Sequence, residues 1–154
     1  MDLNQYRNDY ADATSSFLTV ARGVPDDQLD RHVPGGWSAR QIIHHLADAE
    51  TESAGRLRRL VAEPAGSPLL AFNEDAWARS EPLGYQSLPV ATSLAVIENL
   101  RANSLAVLER LSEGDLERYG EHSARGRFSV VDWLEAYSRH PKVHAEQIRE
   151  ALGA

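Results

Sequence analysis

Two stretches of this chain are spelled as helix beginnings, and they constrain the fold more than anything else in it. In Trp37-Ser38-Ala39-Arg40-Gln41-Ile42 a serine stands three residues before a glutamine, with an aromatic residue ahead of it and an isoleucine at the fourth helical position. Ser38 can accept the free amide of Gln41 while the Gln41 side chain reaches back, and Trp37 can pack on Ile42, a capping box closed by a hydrophobic staple. Such a cap is worth about 1 kcal/mol. Phe128-Ser129-Val130-Val131-Asp132-Trp133 repeats the device. Behind each start runs an inward stripe at helical spacing. The first is Ile42, Leu46, Ala49, Ser53, Leu57 and Leu60, ending at Pro64; the second is Val130, Trp133, Tyr137, His140, His144, Ile148 and Ala151, with Gly153 as a stop signal.

Two more helices follow from the same periodicity. Leu3, Tyr6, Tyr10, Ala13, Phe17 and Val20 predict one from about Asp2 to Arg22, stopped by Gly23-Val24-Pro25. Val90, Leu94, Ile97, Leu105, Leu108 and Leu111 predict another from near Pro89 to about Leu111, stopped by Ser112-Glu113-Gly114-Asp115. Between Pro64 and Leu88 periodicity fails, yet Leu69, Leu70, Phe72 and Trp77 are too apolar for a free linker. That segment is expected to lie across the helices as a cover, with a short helix over Asn73 to Arg79 capped by Asn73. Leu116 to Phe128 is a second irregular crossover, and no alternating strand is expected. The reading is all-α: an antiparallel four-helix bundle with long crossover segments, one domain over residues 1–154.

Composition removes several functions. No apolar run approaches the ~20 residues needed to cross a bilayer, so no membrane partner is expected. Met1 to Gln5 lacks a basic segment followed by an apolar one, and the expected location is cytoplasmic. A formal charge of -7 argues against a nucleic-acid partner. The cluster Arg56, Arg58 and Arg59 reads as a solvated helix face. With no cysteine, any metal must be held by His, Asp or Glu.

His140 and His144 stand four apart on the inward stripe of the last helix, a rise of about 6 Å. Two imidazoles so placed can bite one metal ion, or each can be a core histidine satisfied by hydrogen bonds. A metal would satisfy one nitrogen of each at once. A catalytic zinc site takes three protein ligands and keeps a position open. His45, two turns inside the second helix beside its stripe, is the natural third. His44 points about 100° away and reads as a surface or rim residue.

The string Trp37 to Glu50, with its His45-Leu46-Ala47-Asp48, resembles the second helix of the DinB/YfiT-like family. Phe128 to Leu134 followed by His140-Pro141-Lys142-Val143-His144-Ala145-Glu146-Gln147-Ile148 is similar to that family's last helix, and the crossovers carry the likeness over most of the chain. The resemblance implies a four-helix bundle, often dimeric, with one divalent metal ion, commonly nickel or zinc, on His45, His140 and His144. Asp48 would then support a ligand or act as a base. The implied activity is metal-dependent hydrolysis of a small molecule; the alternatives are transfer to a low-molecular-weight thiol supplied in trans, or metal binding without catalysis. Pro141 departs from the family pattern. It removes an amide and threatens the carbonyl of Tyr137, so a local kink or bulge, or a mis-aimed His140, is expected there.

Overall fold

A computed structural model describes residues 1–154. It contains α1 (Leu3–Arg22), α2 (Ala39–Ala62), α3 (Glu74–Arg79), α4 (Ala91–Leu108) and α5 (Val130–Leu152), with short strands β1 (Ser67–Leu69), β2 (Tyr119–His122) and β3 (Gly126–Ser129). Both helix starts form as their sequences require. Ser38 Oγ accepts the Gln41 amide at 3.2 Å and Gln41 Oε1 accepts the Ser38 amide at 2.9 Å. Ser129 Oγ accepts the Asp132 amide at 3.2 Å, and Asp132 Oδ2 accepts the Ser129 amide at 2.7 Å. Asn73 caps α3 through the Ala76 amide at 3.0 Å.

The four long helices form the expected bundle. α1 packs chiefly on α5 and α4, and α2 on α4 and α5. Helices joined by residues 23–38 and by residues 109–129 therefore face each other across the bundle, and such connections have to be long.

The core is divided in two. One apolar cluster gathers Tyr10, Leu57, Leu108, Trp133 and Tyr137; the other gathers Phe17, Ile42, Leu46, Ile97 and Ile148. Between them three of the long helices turn polar residues inward: Thr14 on α1, Glu50 and Ser53 on α2, Arg101 and Ser104 on α4. Arg101 is 1% exposed and ties the layer together. Its Nη1 donates to Glu50 Oε1 at 2.6 Å, Nε to Thr14 Oγ1 at 2.6 Å, and Nη2 to the carbonyls of Tyr10 and Tyr137 at 3.2 and 3.0 Å. Burial raises the Glu50 pKa and the guanidinium pulls it back. An ion pair this deep is stable only when its remaining hydrogen bonds are made.

The crossovers are less irregular than their sequences suggest. β1 pairs in parallel with β2, and β2 and β3 form an antiparallel hairpin. A Cβ at Gly120 would lie 2.7 Å from the Ser67 carbonyl oxygen, so glycine is what allows the two crossovers to touch. The expectation of no strand fails because three- and four-residue strands such as Tyr119-Gly120-Glu121-His122 carry no apolar alternation; their pairing is set by tertiary contact.

Candidate metal centre

α2 and α5 pack so that the second turn of one meets the middle of the other. This brings His45, His140 and His144 together, each offering a ring nitrogen within 4.8 Å of the others. His140 Nε2 and His144 Nε2 are 2.9 Å apart. The rings meet edge to face, with centroids 4.4 Å apart for His140 and His144, 4.8 Å for His45 and His144, and 5.5 Å for His45 and His140. The Trp37 ring packs edge to face with His45, their centroids 5.0 Å apart.

All three imidazoles are held neutral. Burial, then the charge of His144, pushes His45 down to about 4. Burial, followed by His144, His45, Arg101 and Arg125, pushes His140 down to about 3. Burial also lowers His144, against a hydrogen bond to Gln147. That bond sets the tautomer: Nδ1–H donates to Gln147 Oε1 at 2.8 Å, leaving Nε2 with a lone pair toward the cluster. Nδ1 of His45 and Nδ1 of His140 are buried without a partner. Nitrogen ligands around a tetrahedral ion stand about 3.4 Å apart, between the 2.9 Å of the His140–His144 pair and the 4.8 Å that bounds the cluster. The donor set fits a divalent ion.

Pro141 does not spoil this arrangement. α5 runs through it without a break or wide turn, and His140 is aimed into the cluster, so neither the bulge nor the mis-aiming expected from the sequence occurs. The Tyr137 carbonyl, four residues back, loses the amide that Pro141 cannot supply; Arg101 Nη2 donates to it instead. The polar layer thus supports the turn that carries His140.

Other expectations change. His44 is 5% exposed rather than at the surface, because the end of the long crossover and the first turn of α4 cover it. Its Nδ1 lies 2.7 Å from Ser93 Oγ and its Nε2 2.9 Å from the Leu88 carbonyl oxygen. Arg56 is not solvated either: it is 8% exposed beneath the Leu69-Leu70 crossover, while Arg58 and Arg59 are exposed. Asp48 accepts the Tyr85 hydroxyl at 2.7 Å and makes no hydrogen bond to the three histidines. Burial and that carboxylate hold the Tyr85 pKa well above its ordinary value. Sequence reasoning missed Arg101 and Glu50. The signal was there for Arg101, which occupies an inward position of the line Ile97, Arg101, Ser104, Leu108.

Fold and centre together define a class, four-helix-bundle proteins with three histidines converging from two facing helices. The chain belongs to the DinB superfamily, whose profile matches residues 9–148. It is 31% identical over 148 residues to a protein of Oceanobacillus iheyensis named "Putative metal-dependent hydrolase", covering 95% of this chain and 83% of the relative. A Geobacillus kaustophilus protein of the same name is 32% identical over 136 residues, covering 87% of this chain and 75% of the relative. Among solved structures, YfiT from Bacillus subtilis, described as a probable metal-dependent hydrolase with an unusual four-helix bundle topology, superposes with a TM-score of 0.85 at 23% identity, covering 97% of this chain and 85% of that one. A mycothiol-dependent maleylpyruvate isomerase superposes with a TM-score of 0.77 at 17% identity; the match covers 96% of this chain and 61% of that one.

Proposed function

We propose that this protein is a metal-dependent enzyme of the hydrolase kind, holding one divalent ion, zinc or nickel, on His45, His140 and His144 and acting on a small molecule. The observation that carries the reading is the convergence of three neutral imidazoles within 4.8 Å on a buried face. Bound there with a position open, such an ion supplies a Lewis acid and lowers the pKa of a water molecule. The chain's own contribution is to hold the donors unprotonated, fix the His144 tautomer through Gln147, and pack Trp37 against the His45 ring. Asp48 is proposed as the base, one helical turn beyond His45, with Tyr85 holding its carboxylate in place.

The test begins with protein purified without a histidine tag. About one zinc or nickel per chain, with hydrolysis of model esters or amides lost in His144→Ala, supports the reading; less than a tenth of an ion per chain overturns it. Asp48→Asn separates the roles of that residue. A base predicts a fall in kcat at unchanged zinc affinity, whereas a structural carboxylate predicts the same lowered melting temperature as Tyr85→Phe.

A second reading is transfer to a thiol. It is favoured by the likeness to a mycothiol-dependent isomerase and by a chain with no cysteine of its own. Consumption of an electrophile only when a low-molecular-weight thiol is added would select it. Absence of turnover in both screens, with metal bound, would leave a metal-binding role.

A further inference from the structure

Beside the imidazole cluster lies a cavity of about 460 Å³ with His140 in its wall. α2, the long crossover, the β2–β3 hairpin and α5 each contribute to it. Its charge is one-sided: Arg56, Arg125 and Arg139 line it with a single carboxylate, Glu74, on a chain whose formal charge is -7. Neither Arg125 nor Arg139 takes part in an ion pair.

Arg56 is the most informative of these. Buried at 8% exposure, it donates from Nη1 to the Tyr137 hydroxyl and from Nη2 to the Leu70 carbonyl, both at 2.6 Å. Its Nε is buried without an acceptor, and Glu52, the one carboxylate paired with it, stands at 3.9 Å. Its short bonds therefore go to neutral oxygens, and a buried guanidinium lacks a close counter-ion. Such a charge is costly to keep unless an anion completes the site. Tyr137, having accepted from Arg56, keeps its own hydroxyl proton to donate. The field is visible elsewhere: after burial, Arg56 and Arg125 further lower the pKa of His122. Much of the rest of the wall is apolar, with Phe72, Phe128 and Val143.

We infer that this cavity is the substrate pocket and that it takes a small organic carboxylate, the anionic head held by Arg56, Arg125 and Arg139 and the apolar body against Phe72, Phe128 and Val143. The inference rests on the proposed function only for the reaction centre, toward which His140 forms the shared wall. Guanidinium groups recognise carboxylate and phosphate alike; the apolar wall is what favours an organic acid.

The test uses metal-free protein, so that an anion cannot be held by the metal. Benzoate, benzamide and inorganic phosphate are titrated by calorimetry at low ionic strength, with amide chemical shifts recorded for the benzoate arm. Saturable benzoate binding is expected, at least tenfold tighter than benzamide or phosphate, with shifts concentrated at Phe128 and Val143. The exposed pair Arg125→Ala and Arg139→Ala, combined in one variant, is expected to weaken benzoate at least tenfold at an unchanged melting temperature. Arg56→Met is expected to abolish binding, but the double variant carries the test because Arg56 also anchors the crossover. No saturable binding, benzamide or phosphate binding as tightly as benzoate, or an unchanged double variant would each overturn the inference. Zinc titration of the same preparation separates the two readings. Zinc binding without benzoate binding sinks the pocket alone, and benzoate binding without zinc binding supports the pocket while removing the metal.

Discussion

Gln147 decides which nitrogen His144 presents. By accepting a hydrogen bond from Nδ1–H it commits Nε2 to the cluster, and outer partners of this kind typically change metal affinity 10- to 100-fold. Gln147→Leu is therefore expected to weaken zinc binding by about that factor in a chelator competition, with circular dichroism unchanged. At this scale the three histidines were readable because helical spacing alone places His140 over His144 and His45 beside an apolar stripe. His44 and Arg56 were not. Their angle around α2 was readable, but what lies over that angle is set by Leu70 and Leu88 in a crossover without periodicity. Asp48 was located correctly on its helix, while its partner Tyr85 belongs to the same unpredictable segment.

Within the helices, the starts of α2 and α5 were legible because a capping box is a local chemical event completed within four residues. Ser129→Ala is expected to lower stability by about 1 kcal/mol by leaving the Asp132 amide uncapped, read as a shift in the urea midpoint. The sheet was not legible, since the Ser67 and Gly120 register depends on two crossovers meeting. The middle of α5 was half legible: Pro141 marked a lost hydrogen bond, but its replacement came from α4. The coupling can be measured. Pro141→Ala restores an amide to the Tyr137 carbonyl, yet in the native background Arg101 already serves that oxygen, so little change in stability is expected. Arg101→Met strands the Glu50 carboxylate and is expected to cost about 3 kcal/mol or more. Adding Pro141→Ala to Arg101→Met should recover about 1 kcal/mol of this. Strict additivity in that cycle would show that Arg101 does not substitute for the missing amide.

Across the whole molecule, the bundle was foreseeable from four amphipathic stretches, but its diagonal connectivity and its polar layer were not, because neither is encoded in any one helix. The imidazole cluster makes stability depend on acid. His45 and His140 have native pKa values pushed to about 4 and about 3, below the unfolded value of about 6.5. As pH falls through 6.5 the unfolded chain takes up protons that the native chain refuses, so stability present above that pH is lost progressively down to about 4 and below. Native burial, the mutual charge of the three imidazoles, and Arg101 and Arg125 all act in the same direction on His140. Metal-free protein is expected to lose about 1 kcal/mol or more per pH unit below 6.5, seen as a falling denaturant midpoint at constant slope. Zinc at a hundred times its dissociation constant adds about 2.7 kcal/mol, which corresponds to a rise of roughly 5 to 11 °C in melting temperature for a domain of this size. His140→Gln removes an imidazole whose native pKa is pushed down to about 3 and should flatten the acid limb of the metal-free profile. If that limb keeps its full steepness in His140→Gln and in His45→Gln, the acid sensitivity arises outside the cluster.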